Sequence, residues 1–140
     1  MQVTPYVSFE GRCEEAIEFY RKALGAEVKF SMRYSEMPKD ACPGGLTPGT
    51  ENKICHAELQ IGKSVICVSD GRMQAPAKFQ GIALSLDLDD VAQCEKAFAA
   101  LSEGGQINMP LSQTFFAKSF GMVQDKFGVG WMVIVRAEPS

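Results

Sequence analysis

The sequence predicts an α+β fold built from two consecutive βαβββ units. Three observations lead to this prediction. The order of predicted elements repeats after just under 80 residues, each repeat holds one helix that ends at glycine, and the turn-rich segment 71–80 separates the repeats. At 140 residues the chain has the length of one domain. We therefore expect a single domain with unit one at 1–71, a linker at 72–80 and unit two at 81–137.

The first predicted elements of unit one are a strand, a helix and a second strand. A short β-type run covers residues 6–9, and apolar residues then recur at helical spacing from Cys13 to Leu24, with charged residues on the other side. Gly25 supplies the helix stop. Alternation at 26–34 predicts the next strand.

The remainder of unit one is predicted to be a long loop followed by a hairpin. Residues 37–52 contain three prolines and three glycines, and loops of this length often cover binding sites. The β-type runs 54–61 and 63–69 have only Gly62 between them, which is the spacing of a tight hairpin.

Unit two repeats this order. A strand is predicted at 81–88, and Asp89 or Asp90 can cap a helix that runs to Glu103, where two glycines follow. The candidate strands after the helix are 106–109, 114–117, 122–124 and 131–135.

Composition and charge exclude several classes of protein. The chain is 46% hydrophobic and 22% charged, which is typical of a packed globular protein. Its net charge is −3 and no three basic residues are consecutive, so we expect no nucleic-acid partner. Apolar runs are too short to span a membrane, and the N-terminus lacks the features of a targeting signal, which together predict a cytoplasmic protein with no membrane partner.

The five cysteines show no C-x-x-C spacing. We interpret them as free thiols in a reducing compartment rather than as a disulfide or zinc framework. Cys42, in the predicted loop, has no visible neighbour that would activate its thiol.

Several segments resemble the vicinal oxygen chelate superfamily, which includes glyoxalase, extradiol dioxygenase and bleomycin-resistance proteins. The start of the chain is similar to the start of that superfamily in residues 5–11, PYVSFEG, then 16–20, AIEFY, and 24–27, LGAE. The PhnB-like branch is suggested by HAEL at 56–59, VSD at 68–70, QTFF at 113–116, and GMVQDKFG at 121–128 leading to Trp131.

This resemblance implies a cup-shaped mixed sheet formed by the two units, and a homodimer. Many members hold a divalent metal through His, Gln and Glu side chains of the first and last strands. The corresponding positions here are Pro5, Ala83 and Val133, which cannot bind a metal. We therefore assign no cofactor and no metal-ligating residue, and expect much less than one tightly bound ion per chain, although a weakly held divalent metal stays open.

Strand alternation predicts which side chains face the ligand. Ala57 and Leu59 suit packing under a helix, which places His56, Glu58 and Gln60 on the opposite face. His56 and Glu58 are the candidate catalytic residues, because a histidine beside a carboxylate can act as a general base. The expected ligand contacts are Gln60, Asp87, Phe116, Trp131 and Met37.

Three functions fit these features. The first is a metal-free protein that binds a small metabolite or drug-like molecule in a cleft. The alternative is a metal-dependent lyase, isomerase or dioxygenase-type enzyme that uses His56 and Glu58. A third is a dimeric interaction module without a small ligand. Members of this branch have carried methyltransferase labels, but the chain has no glycine-rich strand-to-helix turn for a nucleotide-like cofactor.

Overall fold

A computed structural model describes residues 1–38, 41 and 47–137 of the chain. The chain forms two compact units, Met1–Ala77 and Lys78–Ser140, and the boundary between them falls inside the segment predicted as a linker. Part of the predicted loop 37–52, including Cys42, lies outside the described residues.

The first unit has the predicted βαβββ order. Its elements are β1 (Tyr6–Ser8), α1 (Cys13–Leu24), β2 (Glu27–Arg33), β3 (Ile54–Ile61) and β4 (Ser64–Ser69), and a 3₁₀ turn (Tyr34–Glu36) follows β2. The strands form one mixed sheet in the order β1-β4-β3-β2. β1 runs parallel to β4, whereas β3 is antiparallel to both of its neighbours.

Helix α1 supplies one side of the core of this unit. Its apolar stripe is buried, as the helical spacing predicts, and so are alternate residues of the strands beneath it. Gly25 ends the helix in the left-handed conformation, at φ 67°, and its N–H donates to the carbonyl of Arg21. The buried apolar residues of the helix and of β1, β3 and β4 are Cys13, Ala16, Ile17, Tyr20, Val7, Ile54, Ala57, Leu59, Ile66 and Val68.

Asp70, directly after β4, fixes the start of α1. Its side chain is 1% exposed. One carboxylate oxygen accepts from the backbone N–H of Cys13 at 2.8 Å and the other from that of Ile54 at 2.7 Å. Arg12, at the N-cap position itself, makes no capping bond with its side chain. A residue 57 positions along the chain therefore takes the role of the cap.

The second unit repeats the architecture. Its elements are β5 (Leu84–Asp87), α2 (Val91–Ser102), β6 (Gln106–Ser112), β7 (Ala117–Gln124) and β8 (Gly130–Arg136). The sheet order is β5-β8-β7-β6, with β5 parallel to β8, which is the same topology as in the first unit. The prediction of an α+β fold with two βαβββ units is confirmed.

Asp90, not Asp89, caps α2. The Asp90 carboxylate accepts from the backbone N–H of Gln93 at 2.7 Å. Helix α2 packs against β7 and β8.

Among the described residues, three strands follow α2 rather than the four candidates. β6 continues through Pro110, which is compatible with a strand at the edge of its sheet because an edge strand has one row of unpaired N–H positions. Residues 114–116 of the predicted strand 114–117 form a connection, in which the N–H of Thr114 donates to the carbonyl of Ala117, and Ala117 itself begins β7. The prediction of a separate strand there was wrong, because the apolar pair Phe115 and Phe116 belongs to the connection.

In the part of the chain that is described, no helix is long and apolar enough to cross a membrane.

Candidate functional site

One face of the first sheet carries the polar side chains predicted for a site. Ala57 and Leu59 of β3 are fully buried, whereas His56 and Glu58 alternate with them and are partly exposed. The strand register adds side chains from the neighbouring strands: Glu58 lies opposite Cys67 of β4 and Phe30 of β2, Met32 opposite His56, and Tyr6 of β1 beside Cys67. We call the cluster of Tyr6, Phe30, His56, Glu58 and Cys67 the open face of unit one.

Three side chains of the open face form a hydrogen-bonded chain. His56 Nδ1 lies 3.2 Å from the Tyr6 hydroxyl, and His56 Nε2 lies 3.3 Å from a carboxylate oxygen of Glu58. A carboxylate accepts hydrogen bonds, so these partners assign the proton of a neutral imidazole to Nε2, and Nδ1 of that tautomer accepts from Tyr6. In this tautomer the Tyr6 hydroxyl donates to Nδ1, and the hydrogen bond from Nε2 to Glu58 fixes the orientation of the imidazole ring.

Two aromatic rings flank the histidine. Tyr6 stacks on the imidazole, with ring centroids 5.6 Å apart and planes at 30°. The centroid of Phe30 lies 6.0 Å from the imidazole, with planes at 50°. Tyr6 is 54% exposed and Phe30 is 44% exposed, so both rings present apolar surface outside the core. The result is a polar centre between two aromatic walls, a combination common in small-molecule sites.

Tyr6, Phe30 and Cys67 are the members of the open face that were not among the site residues predicted from the sequence, and Cys67 adds a thiol to the site. Ligand atoms of His56, Glu58 and Cys67 all lie within 4.8 Å of one another. Desolvation, followed by the negative charge of Glu58, raises the pKa of the Cys67 thiol. Residue alternation within the predicted hairpin could have found Cys67, since a tight turn at Gly62 places Cys67 across from Glu58.

The two other predicted site residues of the first unit are not part of this cluster. The Gln60 amide donates to the carbonyl of Gly62 at 3.1 Å, so this side chain is bonded to the hairpin turn. Met37 is half-buried and directly follows the 3₁₀ turn, where its N–H donates to the carbonyl of Tyr34.

Asp87 and Phe116 belong to the second unit. Asp87 accepts from Arg136 Nε at 3.0 Å and from the Ser85 hydroxyl at 3.3 Å, in an exposed position. Phe116 packs edge-on against Phe120, with ring centroids 5.2 Å apart. A role for these residues in ligand binding stays a prediction.

Trp131 lies on the opposite sheet face from the one predicted. A Cβ atom on Gly121 of β7 would lie 2.8 Å from the ring of Phe98 in α2, and Gly121 is paired with Val133 of β8. The face of β8 that carries Val133 therefore packs toward α2. Trp131 lies two residues before Val133 in the same strand, so its side chain projects from the same face. Its side chain is 3% exposed and donates from Nε1 to Asp125 at 2.9 Å. The predicted orientation of Trp131 toward a ligand was wrong.

The metal positions implied by the superfamily resemblance do not fit this chain. Pro5, Ala83 and Val133 have no side-chain donor atom, and Val133 is also fully buried. Any metal would require a different set of residues.

Comparisons with known proteins agree with this architecture. A family model described as 3-demethylubiquinone-9 3-methyltransferase matches residues 1–134. Protein YjdN of Escherichia coli K12 is 39% identical over 148 aligned residues, covering 100% of this chain and 99% of YjdN.

Solved structures of related proteins are similar to this chain over nearly their whole length. Protein PA1353 from Pseudomonas aeruginosa is 36% identical, with a TM-score of 0.84 and coverage of 99% of both chains. A putative 3-demethylubiquinone-9 3-methyltransferase, PhnB protein, from Bacillus cereus is 27% identical, with a TM-score of 0.78 and coverage of 96% of this chain and 99% of that one. A glyoxylase/bleomycin resistance protein/dioxygenase domain from Frankia sp. EAN1pec is 12% identical, covers 98% of both chains at a TM-score of 0.67, and shows the shared fold alone.

Proposed function

We propose a binding function for this chain, which belongs to the PhnB/3-demethylubiquinone-9 3-methyltransferase family and has a vicinal oxygen chelate fold. It binds a small oxygen-bearing metabolite or drug-like molecule without the usual metal set of that fold. The binding surface is the open face of unit one. The observation that supports this proposal is the hydrogen-bonded chain of Tyr6, His56 and Glu58 between two aromatic rings.

The chemistry of these side chains suggests the ligand class. The Tyr6 hydroxyl can donate to, or accept from, a carbonyl, carboxylate or hydroxyl oxygen of a ligand. The rings of Tyr6 and Phe30 suit a flat apolar part of the same molecule. A ligand with an oxygen-rich end and a planar body would use both features.

An enzyme that uses His56 and Glu58 is the competing function. In the hydrogen-bonded chain, His56 can take the Tyr6 proton while Glu58 stabilises the imidazolium that forms, which is the logic of a nucleophile, a base and an orienting carboxylate. This arrangement could move a proton at a bound substrate in lyase or isomerase chemistry, with or without a metal. The methyl transfer named in the family description would in addition need a methyl donor.

Ligand-induced thermal shifts test the proposal. The probes are a panel of small carboxylic acids, α-oxo acids and planar aromatic compounds, with S-adenosylmethionine included as a methyl donor. We expect a binding compound to raise the melting temperature of the wild type. The same compound should bind at least about tenfold more weakly to His56→Ala, which removes the centre of the hydrogen-bonded chain, and to Glu58→Gln, which replaces its charged acceptor by a neutral one.

Glu18→Gln is the matched control, because it makes the same chemical change on the exposed side of α1. We expect this variant to bind as the wild type does. If His56→Ala left binding intact and lowered stability by several kcal/mol, the residue would be structural and the proposed site misplaced.

A further inference from the structure

We propose that His56, Glu58 and Cys67 form a site for an exchangeable divalent metal of the zinc class, at positions different from those that the superfamily resemblance implies. This inference does not depend on the ligand-binding proposal. It starts from the three donor atoms, one each of nitrogen, oxygen and sulfur, that the register of β3 and β4 brings together.

The spacing of these atoms suits a tetrahedral ion. Zinc bonds of about 2.0–2.1 Å to nitrogen or oxygen and about 2.3 Å to sulfur require roughly 3.3 Å between a nitrogen and an oxygen ligand, and roughly 3.6 Å to the sulfur. The distance between His56 Nε2 and the Glu58 oxygen is 3.3 Å. All three residues offer ligand atoms within 4.8 Å of one another, so each distance to the sulfur has to shorten by about 1.2 Å or less.

The charges of the cluster also suit a cation. Glu58 lies opposite Cys67 on the neighbouring strand, so a Cys67 thiolate and the Glu58 carboxylate repel each other when no cation lies between them. A divalent ion between them replaces this repulsion by two attractions. Binding therefore converts the Cys67 thiol to a thiolate and releases its proton to solvent, so that one proton leaves for each metal ion bound.

Tyr6 is placed to orient the histidine ligand. When Nε2 binds a metal, the proton of the neutral ring moves to Nδ1, which lies 3.2 Å from the Tyr6 hydroxyl and can donate to it. The hydrogen bond is thus kept with its direction reversed. A second partner of this kind commonly fixes the ring of a metal-bound histidine.

Three features make the ion exchangeable rather than structural. Three described side chains contribute, whereas structural zinc sites use four. His56 and Glu58 are 31% and 43% exposed, and the Cys67 thiol must lose its proton before its sulfur can bind the ion. Such an ion is removed by chelator and dialysis, which agrees with the expectation of little tightly bound metal after purification.

Cobalt titration of the reduced, chelator-treated full chain tests this site. Co²⁺ bound by a thiolate gives a ligand-to-metal charge-transfer band in the near ultraviolet, which carboxylate and imidazole ligands do not give. We expect the wild type to develop this band to one equivalent, to release one proton per ion in unbuffered solution, and to lose the band when Zn²⁺ is added in competition.

Cys67→Ala should abolish the band, and His56→Ala and Glu58→Gln should weaken Co²⁺ binding at least about tenfold. Cys55→Ala is the matched control, because Cys55 is a half-buried strand cysteine like Cys67, but its sulfur is not among the described ligand atoms that lie within 4.8 Å of one another. It should bind Co²⁺ as the wild type does. Far-ultraviolet circular dichroism shows whether Cys67→Ala folds, and Cys67→Ser provides a second test at the same position.

The proposal is overturned if the wild type gives no charge-transfer band, or if the band persists in both Cys67 variants. It is equally overturned if Cys55→Ala abolishes the band. Because the probe is the metal alone, none of these results decides whether the open face of unit one binds an organic ligand.

Discussion

Asp70→Asn should destabilise the protein although it leaves the size of the side chain unchanged. In the structure the two Asp70 oxygens accept from the N–H groups of Cys13 and Ile54, at 2.8 and 2.7 Å, inside the core. An amide offers one acceptor and two donors. One of the two N–H groups would therefore face an NH₂ group and lose its partner.

The size of the effect follows from these two bonds. A buried hydrogen bond to a charged group contributes about 1.5–3 kcal/mol, and one between neutral groups about 0.5–1.5 kcal/mol. Asp70→Asn removes one of the two charged hydrogen bonds and turns the remaining one into a neutral hydrogen bond. We therefore expect the free energy of unfolding to fall by about 3 kcal/mol. Asp70→Ala loses both bonds and should cost about 3–6 kcal/mol.

Urea unfolding measures this difference. With an m value of about 2 kcal/mol/M, Asp70→Asn should lower the midpoint by about 1.5 M without changing the slope. Asp89→Asn, the same change at an exposed position beside the α2 cap, should shift stability by less than about 0.5 kcal/mol. A loss below about 1 kcal/mol for Asp70→Asn would show that this carboxylate does not hold the start of α1.

Three further results are expected. Trp131→Phe should cost about 1–3 kcal/mol in urea unfolding because it leaves Asp125 without the indole donor, and an unchanged midpoint would contradict the burial of that bond. Desolvation, together with the negative charges of Asp70 and Glu14, raises the pKa of Cys13 above 9.0. The folded state therefore favours the protonated thiol, and the wild type should lose stability as the pH rises above about 9. Between about pH 8 and about pH 10, the free energy of unfolding should fall less for Cys13→Ala than for the wild type. An equal fall in the two proteins would refute this. The protein should form a homodimer, since its sheets have open edges and C₂ pairing is common, and a 15.3 kDa species at micromolar concentration in light scattering would count against it.

The sequence by itself determined the elements whose signal is local. Cys13–Leu24 is the helix that the 3.6-residue spacing and Gly25 predict, and Ile54–Ile61 is the strand that period-two alternation predicts. The same alternation put His56 and Glu58 on one face, because successive side chains of a strand must point to opposite sides.

Only the tertiary structure decided which distant residues meet. β1 pairs with β4 and brings Tyr6 to His56 over 50 positions of sequence. Asp70 caps α1 from 57 positions away. No local pattern encodes such pairs, because they depend on how strands align after the sheet has formed.

Trp131 shows the same limit from the other side. The run from Trp131 to Val135 is apolar throughout, so it carries no alternation from which a face could be inferred. Its orientation is decided by Gly121, which lacks a side chain where β7 meets Phe98 of α2 and so lets the helix approach this face of the sheet. The apolar residue types of 131–135 predicted a strand, and the packing of the sheet against α2 selected which face each residue of β8 occupies.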